Sequence, residues 1–191
     1  MKPQILTLDE RLANPGDSLP FAGHMDDEGY RLGEHDFALP FGLDFDLVLT
    51  NAGEGILVTG IVRGHVQGSC DRCLDMAEFD VVGEVDEYYL FHDPGEVQGA
   101  DEEDEVDYSL VLPDHSIDLT DALSSAVLME TPYVVLCRED CAGLCPVCGA
   151  NLNHEDCGHA VQLEREAQRE RMESNPFAVL KGLELSDGAD S

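Results

Sequence analysis

Cysteine spacing constrains this chain more than any other feature. There are seven cysteines in 191 residues, and an odd number leaves one thiol over in any scheme that pairs them all as disulfides. Most crowd into one segment, Cys137-Arg-Glu-Asp-Cys141-Ala-Gly-Leu-Cys145-Pro-Val-Cys148-Gly149, closed by Cys157-Gly-His159. An earlier pair stands apart as Cys70-Asp-Arg-Cys73. A tetrahedral zinc takes two ligands from one tight turn, and Cys-x2-Cys followed by Gly makes such a turn, because its backbone amides point at the sulfurs. Cys145 to Gly149 has that form, and Cys70 to Cys73 is a second two-ligand loop.

The ligands divide into two fours. Cys145, Cys148, Cys157 and His159 form one set, and Cys70, Cys73, Cys137 and Cys141 form an all-thiolate set, so the expected cofactor is two Zn2+ ions. Two alternatives stay open. The pairs can exchange, with Cys70 and Cys73 joined to Cys145 and Cys148, and His154 can replace His159. A redox role for Cys70 and Cys73 is the main rival, since Cys-x2-Cys also activates a thiolate. In thioredoxin-like proteins, however, that motif opens a helix after a strand of a parallel sheet, whereas this one falls in a hairpin tip.

Charge narrows the partners. Ten Lys and Arg against 41 Asp and Glu leave −31, a field that repels phosphate backbones and draws basic proteins in. The same acidity also serves solubility. The first 21 residues lack the apolar stretch of a signal peptide, and no run approaches the ~20 apolar residues of a membrane span. The expectation is therefore a cytoplasmic protein without a membrane association, where thiols stay reduced.

Periodicity organises the rest. Residues 1–40 read as an N-terminal extension, partly strand. Residues 41–136 read as an antiparallel sheet plus helix. Phe41, Leu43, Phe45, Leu47 and Leu49 alternate with polar neighbours as a half-buried strand. The stretches 56–68 and 77–91 repeat the period of two, giving a three-stranded meander with Cys70 to Cys73 at the tip of its second hairpin. Residues 93–107 form an acidic loop containing the run Asp101 to Glu105, either a solvated segment or a lure for a basic partner. Thr120 reads as the cap of a helix over 121–130 that Pro132 stops. In the Cys-rich segment 137–185, a polar helix is expected over 160–173 and a short one after Asn175-Pro176. Residues 186–191 read as a disordered tail. His24, His35, His65, His92 and His115 have no ligand spacing, and no nucleophile elbow, phosphate loop or H-E-x-x-H pair is present.

The order of these motifs resembles the YceD family, the large ribosomal RNA subunit accumulation proteins. The resemblance is carried by Cys70-Asp-Arg-Cys73-Leu74, the Ile117-Asp118-Leu119 helix entry, the string from Cys141 to Asn153, and the closing Asn175 to Leu183. It departs from a common family ending, where Cys-x-Cys follows the Asn-Leu-Asn string, by offering Cys157-Gly-His159. The resemblance implies a non-enzymatic role in large-subunit ribosomal RNA synthesis, processing or stability. The expected architecture is α+β: an antiparallel β-meander with a packed helix and a C-terminal zinc-ribbon-like segment that clips back onto the hairpin tip. The expected partner is a basic large-subunit ribosomal protein or assembly factor, through which association with the RNA is indirect. The rivals are a thiol oxidoreductase and a zinc-dependent RNA-binding module, and the charge argues against the latter.

Overall fold

The structure, a computed structural model, describes residues 2–93 and 108–173. The run Asp101 to Glu105, the helix expected after Asn175 and the tail all lie outside the described residues. The chain divides into two compact units, Met1–Glu139 and Asp140–Ser191.

Three long strands dominate the first unit: β5 (Leu43–Asn51), β6 (Gly55–Ser69) and β7 (Met76–Leu90). They form the expected meander, with β5 antiparallel to β6 and β6 antiparallel to β7. Alternation puts Leu43, Phe45, Leu47 and Leu49 of β5 on the buried face, with Val58, Val62 and Val66 of β6 and Ala77, Val81 and Val85 of β7. Burial of each of the larger side chains stabilises the fold by about 1.5–3 kcal/mol, an upper estimate. The opposite face carries Asp44, Asp46, Asp80, Glu84 and Asp86 in water.

The N-terminal region holds more strand than its sequence suggests. β1 (Ile5–Thr7), β2 (Ser18–Met25), β3 (Gly29–Leu32) and β4 (His35–Ala38) precede the meander. The resulting sheet runs β2-β5-β6-β4-β3, and β7 lies along β6. Pro20 sits in β2, at the edge of the sheet, where a missing amide donor breaks no central ladder. Gly23 lets the Phe45 ring lie on the strand, because a Cβ there would stand 2.5 Å from a ring carbon. Those two residues interrupt the apolar period of β2. Buried Asn51 ties the turn after β5 to the N-terminal region by donating from Nδ2 to Leu12 O at 2.8 Å and accepting from Gly53 N–H at 2.8 Å. Two short strands complete the unit. β8 (Ser109–Leu110) pairs with β7 in parallel, a departure from a purely antiparallel sheet, and β9 (Ser116–Asp118) pairs with β1.

Helix α1 (Thr120–Glu130) buries Leu123, Ala126 and Val127. The capping position is Leu119, which makes no side-chain cap, so Thr120 is the first helical residue and not the cap. Its hydroxyl oxygen is engaged elsewhere, accepting the Gln4 amide at 2.7 Å beside β1. The helix packs on β7 at Gly83, where a Cβ would meet the Ala126 carbonyl oxygen at 2.3 Å. Backbone on both sides leaves little to yield. Gly83→Ala is therefore expected to destabilise the first unit by about 1–3 kcal/mol, read as a lowered denaturant midpoint at unchanged slope.

The second unit is built differently. It contains a bridge between Leu144 and Asn151 and helix α2 (Ala160–Glu173). Among its described residues, Cys141 and Cys145 are the only buried members of the apolar core.

Candidate metal centres

Cys70 to Asp75 and Cys145 to Ala150 are the same turn built twice. In the first, Cys70 N–H donates to Asp75 O at 2.8 Å and Leu74 N–H to Cys70 O at 2.9 Å. In the second, Cys145 N–H donates to Ala150 O at 2.8 Å and Gly149 N–H to Cys145 O at 2.8 Å. Each turn then needs a left-handed residue after its second cysteine, supplied by Gly149 at φ 74° and by Leu74 at φ 65°. Glycine adopts that conformation freely, whereas a leucine there costs roughly 1–2 kcal/mol. Leu74 is the less obvious match because only backbone geometry reveals it.

The turns aim amides at sulfur. Burial pushes the Cys70 thiol up, but hydrogen bonds from the backbone at Cys137, Cys73 and Arg72 outweigh it and draw the pKa down to about 6. At Cys145 the backbone at Cys148 and Val147 likewise outweighs burial, again to about 6. Cys157 moves the other way. The backbone at His159 lowers it, but the neighbouring Cys145 and Cys148 sulfurs and burial leave the thiol raised. Thiols held this close compete for protons until a cation takes their place.

In the first unit, Cys70, Cys73 and Cys137 come together, with the Cys73 and Cys137 sulfurs 3.6 Å apart. Cys137 is brought there by a strap. Asp71 N–H donates to Val135 O at 2.8 Å, and the Asp71 carboxylate accepts Val135 N–H at 2.7 Å. Nothing in the sequence sets Asp71 apart from the other acids, 41 Asp and Glu in all. Cys141 is the second residue of the second unit and is buried. Asn153 supports it by donating from Nδ2 to its sulfur at 3.3 Å, while accepting Ala142 N–H at 2.8 Å. That is a physical role for the Asn-Leu-Asn string.

In the second unit, Cys145, Cys148, Cys157 and His159 place their ligand atoms within 4.8 Å of one another. His159 turns Nδ1 toward Cys145 Sγ at 3.9 Å. Exposed His154 is not a member of the group; its amide instead donates to Asn151 O at 3.0 Å. Gly158 at φ 74° makes the bend between Cys157 and His159.

The spacings fit a metal and not a bridge. No cysteine is joined in a disulfide, a bond that needs sulfurs ~2.05 Å apart. Four thiolates around zinc at ~2.3 Å stand ~3.8 Å from one another, close to the 3.6 Å between Cys73 and Cys137. Two cysteine-rich groups in this chain can thus hold metal ions. No helix among the described residues is long and apolar enough to cross a membrane.

Among known proteins, the chain is 39% identical over 117 residues to uncharacterized proteins of Mycobacterium tuberculosis and Mycobacterium bovis, covering 61% of this chain and 54% of theirs. An uncharacterized protein of Mycobacterium leprae is 34% identical over 110 residues, 58% of this chain and 49% of its own. The chain therefore spans about half the length of the curated relatives it matches. No solved structure matches it. Residues 58–184, more than half of the chain and including every cysteine, match the YceD family, described as large ribosomal RNA subunit accumulation protein, and the chain belongs to that family.

Proposed function

We propose that this chain is a non-enzymatic, zinc-binding accessory factor of ribosome biogenesis, which supports synthesis, processing or stability of large-subunit ribosomal RNA through a basic protein partner. The observation that carries the reading is that residues of the YceD family match fall into four-ligand sets. Cys145, Cys148, Cys157 and His159 hold one zinc. Cys70, Cys73, Cys137 and Cys141 hold the other, since four residues of chain carry Cys141 at most about 14 Å from Cys137 and its buried thiol is oriented by Asn153. Zinc here is structural, closing loops and leaving no open coordination position for a substrate. The reducing cytoplasm keeps such thiols available.

A redox reading of Cys70 and Cys73 is less favoured. Reactive thiols are low in pKa and accessible, whereas Cys70 is 0% exposed and Cys73 3%. Its lowered pKa suits a metal-bound thiolate equally well.

The charge of −31 supports a protein route to RNA. Alone, the chain is expected to show no binding to precursor RNA at physiological salt. With a basic large-subunit protein, it is expected to form a complex whose association rate falls steeply with salt, as screening beyond ~8 Å at ~0.15 M ionic strength requires. Stopped-flow association across a salt series tests this. A rate indifferent to salt, or tight binding to bare RNA, overturns the proposed route.

A further inference from the structure

A cleft of about 520 Å³ opens in the first unit between the β3–β4 hairpin and the segment Pro132 to Val134 that follows α1. Its floor is aromatic. Phe37, only 4% exposed, stacks on Tyr30 at a centroid distance of 5.1 Å and meets Phe79 edge-on at 5.9 Å. Leu32 and Val134 form the walls, and Glu34, His35 and Asp71 also line the cleft, with His35 Nε2 3.3 Å from the Asp71 carboxylate. At the lip stands Tyr133, 94% exposed, so almost none of its ring contributes to the core. Val134 beside it is 55% exposed.

An exposed aromatic beside an apolar cleft is a poor surface for a lone chain and a good anchor point for a partner. Glu34, the carboxylate not held by the strap, restricts what that partner brings. A planar cation with an apolar stem can lie against aromatic faces while its head pairs with carboxylate, and arginine fits this better than lysine because its guanidinium is planar and weakly hydrated. We propose that this cleft receives an arginine side chain of a basic polypeptide, stacked against Tyr133 with its guanidinium toward Glu34. The arginine's stem and the next apolar side chain occupy the space over Phe37. This rests on the basic-partner reading above and names a seat for that partner.

The test uses the zinc-loaded full chain and an acetylated, amidated Gly-Arg-Leu-Arg-Gly peptide, followed by amide shift perturbation and by titration. The expected result is perturbation centred on residues 32–37 and 132–134, with about tenfold weaker binding for Tyr133→Ala and for Glu34→Lys. Glu84→Lys, which makes the same charge change on the solvent face of β7, is expected to weaken binding by less than about threefold. Because Tyr133 is so exposed, its truncation leaves the fold intact, and an unchanged denaturation midpoint verifies that. The lysine counterpart of the peptide is expected to bind more weakly. Equal losses for Glu34→Lys and Glu84→Lys, with Tyr133→Ala neutral, overturn the cleft while leaving an acidic chain that attracts basic partners. No binding of either peptide overturns the cleft too; the basic-partner reading then falls only if the salt-dependent complex with a basic large-subunit protein is also missing.

Discussion

Stripping zinc is expected to unfold the second unit while leaving the sheet of the first largely intact. The asymmetry follows from what each unit buries. The first has the apolar faces of β5, β6 and β7 and of α1, with Leu43, Leu49, Val58, Val62, Leu123 and Val127 all at 0% exposure. Among the described residues of the second, the apolar core is Cys141 and Cys145 alone. With so small an apolar core among its described residues, this unit needs another source of stability, and a structural zinc supplies an apparent ~10–16 kcal/mol. That exceeds or matches the whole stability of a typical domain, about 5–15 kcal/mol. Cys148→Ser should reproduce the effect by opening the second set, with loss of amide protection over 143–159 and retention over β5 to β7. Cys70→Ser acts elsewhere. It should release the segment around Cys137 from the hairpin tip, lowering protection near 134–137 more than at Gly149. Matching protection patterns in the two variants would contradict the partition into Cys145, Cys148, Cys157, His159 and the remaining four cysteines.

The second large effect is expected in cells. Deletion should lower mature large-subunit ribosomal RNA relative to small-subunit RNA if the proposed function holds, since the family the chain belongs to is described as large ribosomal RNA subunit accumulation protein. Restoring the wild-type chain should restore the ratio, and restoring Cys148→Ser should not, since a chain with an unfolded second unit is cleared by proteases and falls in abundance. Electrophoresis of total RNA from the three strains reads the outcome directly. An unchanged ratio on deletion, or full rescue by Cys148→Ser, counts against the proposed function.

Much of this was legible in the sequence because two patterns there have rigid physical meaning. Alternation in Phe41 to Leu49 reports a strand with one wet face, and β5 is one from Leu43 onward, whereas Phe41 precedes the strand and is 72% exposed. Cys-x2-Cys reports a turn with convergent amides, and both such turns are present. The residues that escaped notice act through backbone geometry or through single contacts, which leave no period. β2 hides behind Pro20 and Gly23, tolerated by an edge position and by the Phe45 ring. β1 and β9 are three residues each, too short for any alternation to show. Leu74 takes the place of a glycine at φ 65°, and propensity argues against it. Asp71 works by catching one amide, Val135 N–H, 64 residues away. Thr120 has the identity of a cap, but its hydroxyl oxygen is already committed to Gln4.

Zinc content is the most direct test of the central claim. Protein purified without chelator, weighed under native and denaturing conditions, should differ by two zinc ions per chain. The native form should show all seven cysteines protected from a thiol reagent, and they should become titratable together with zinc release. A folded chain with no metal and seven freely titrating thiols would contradict the account, as would a stable disulfide between any pair of these cysteines.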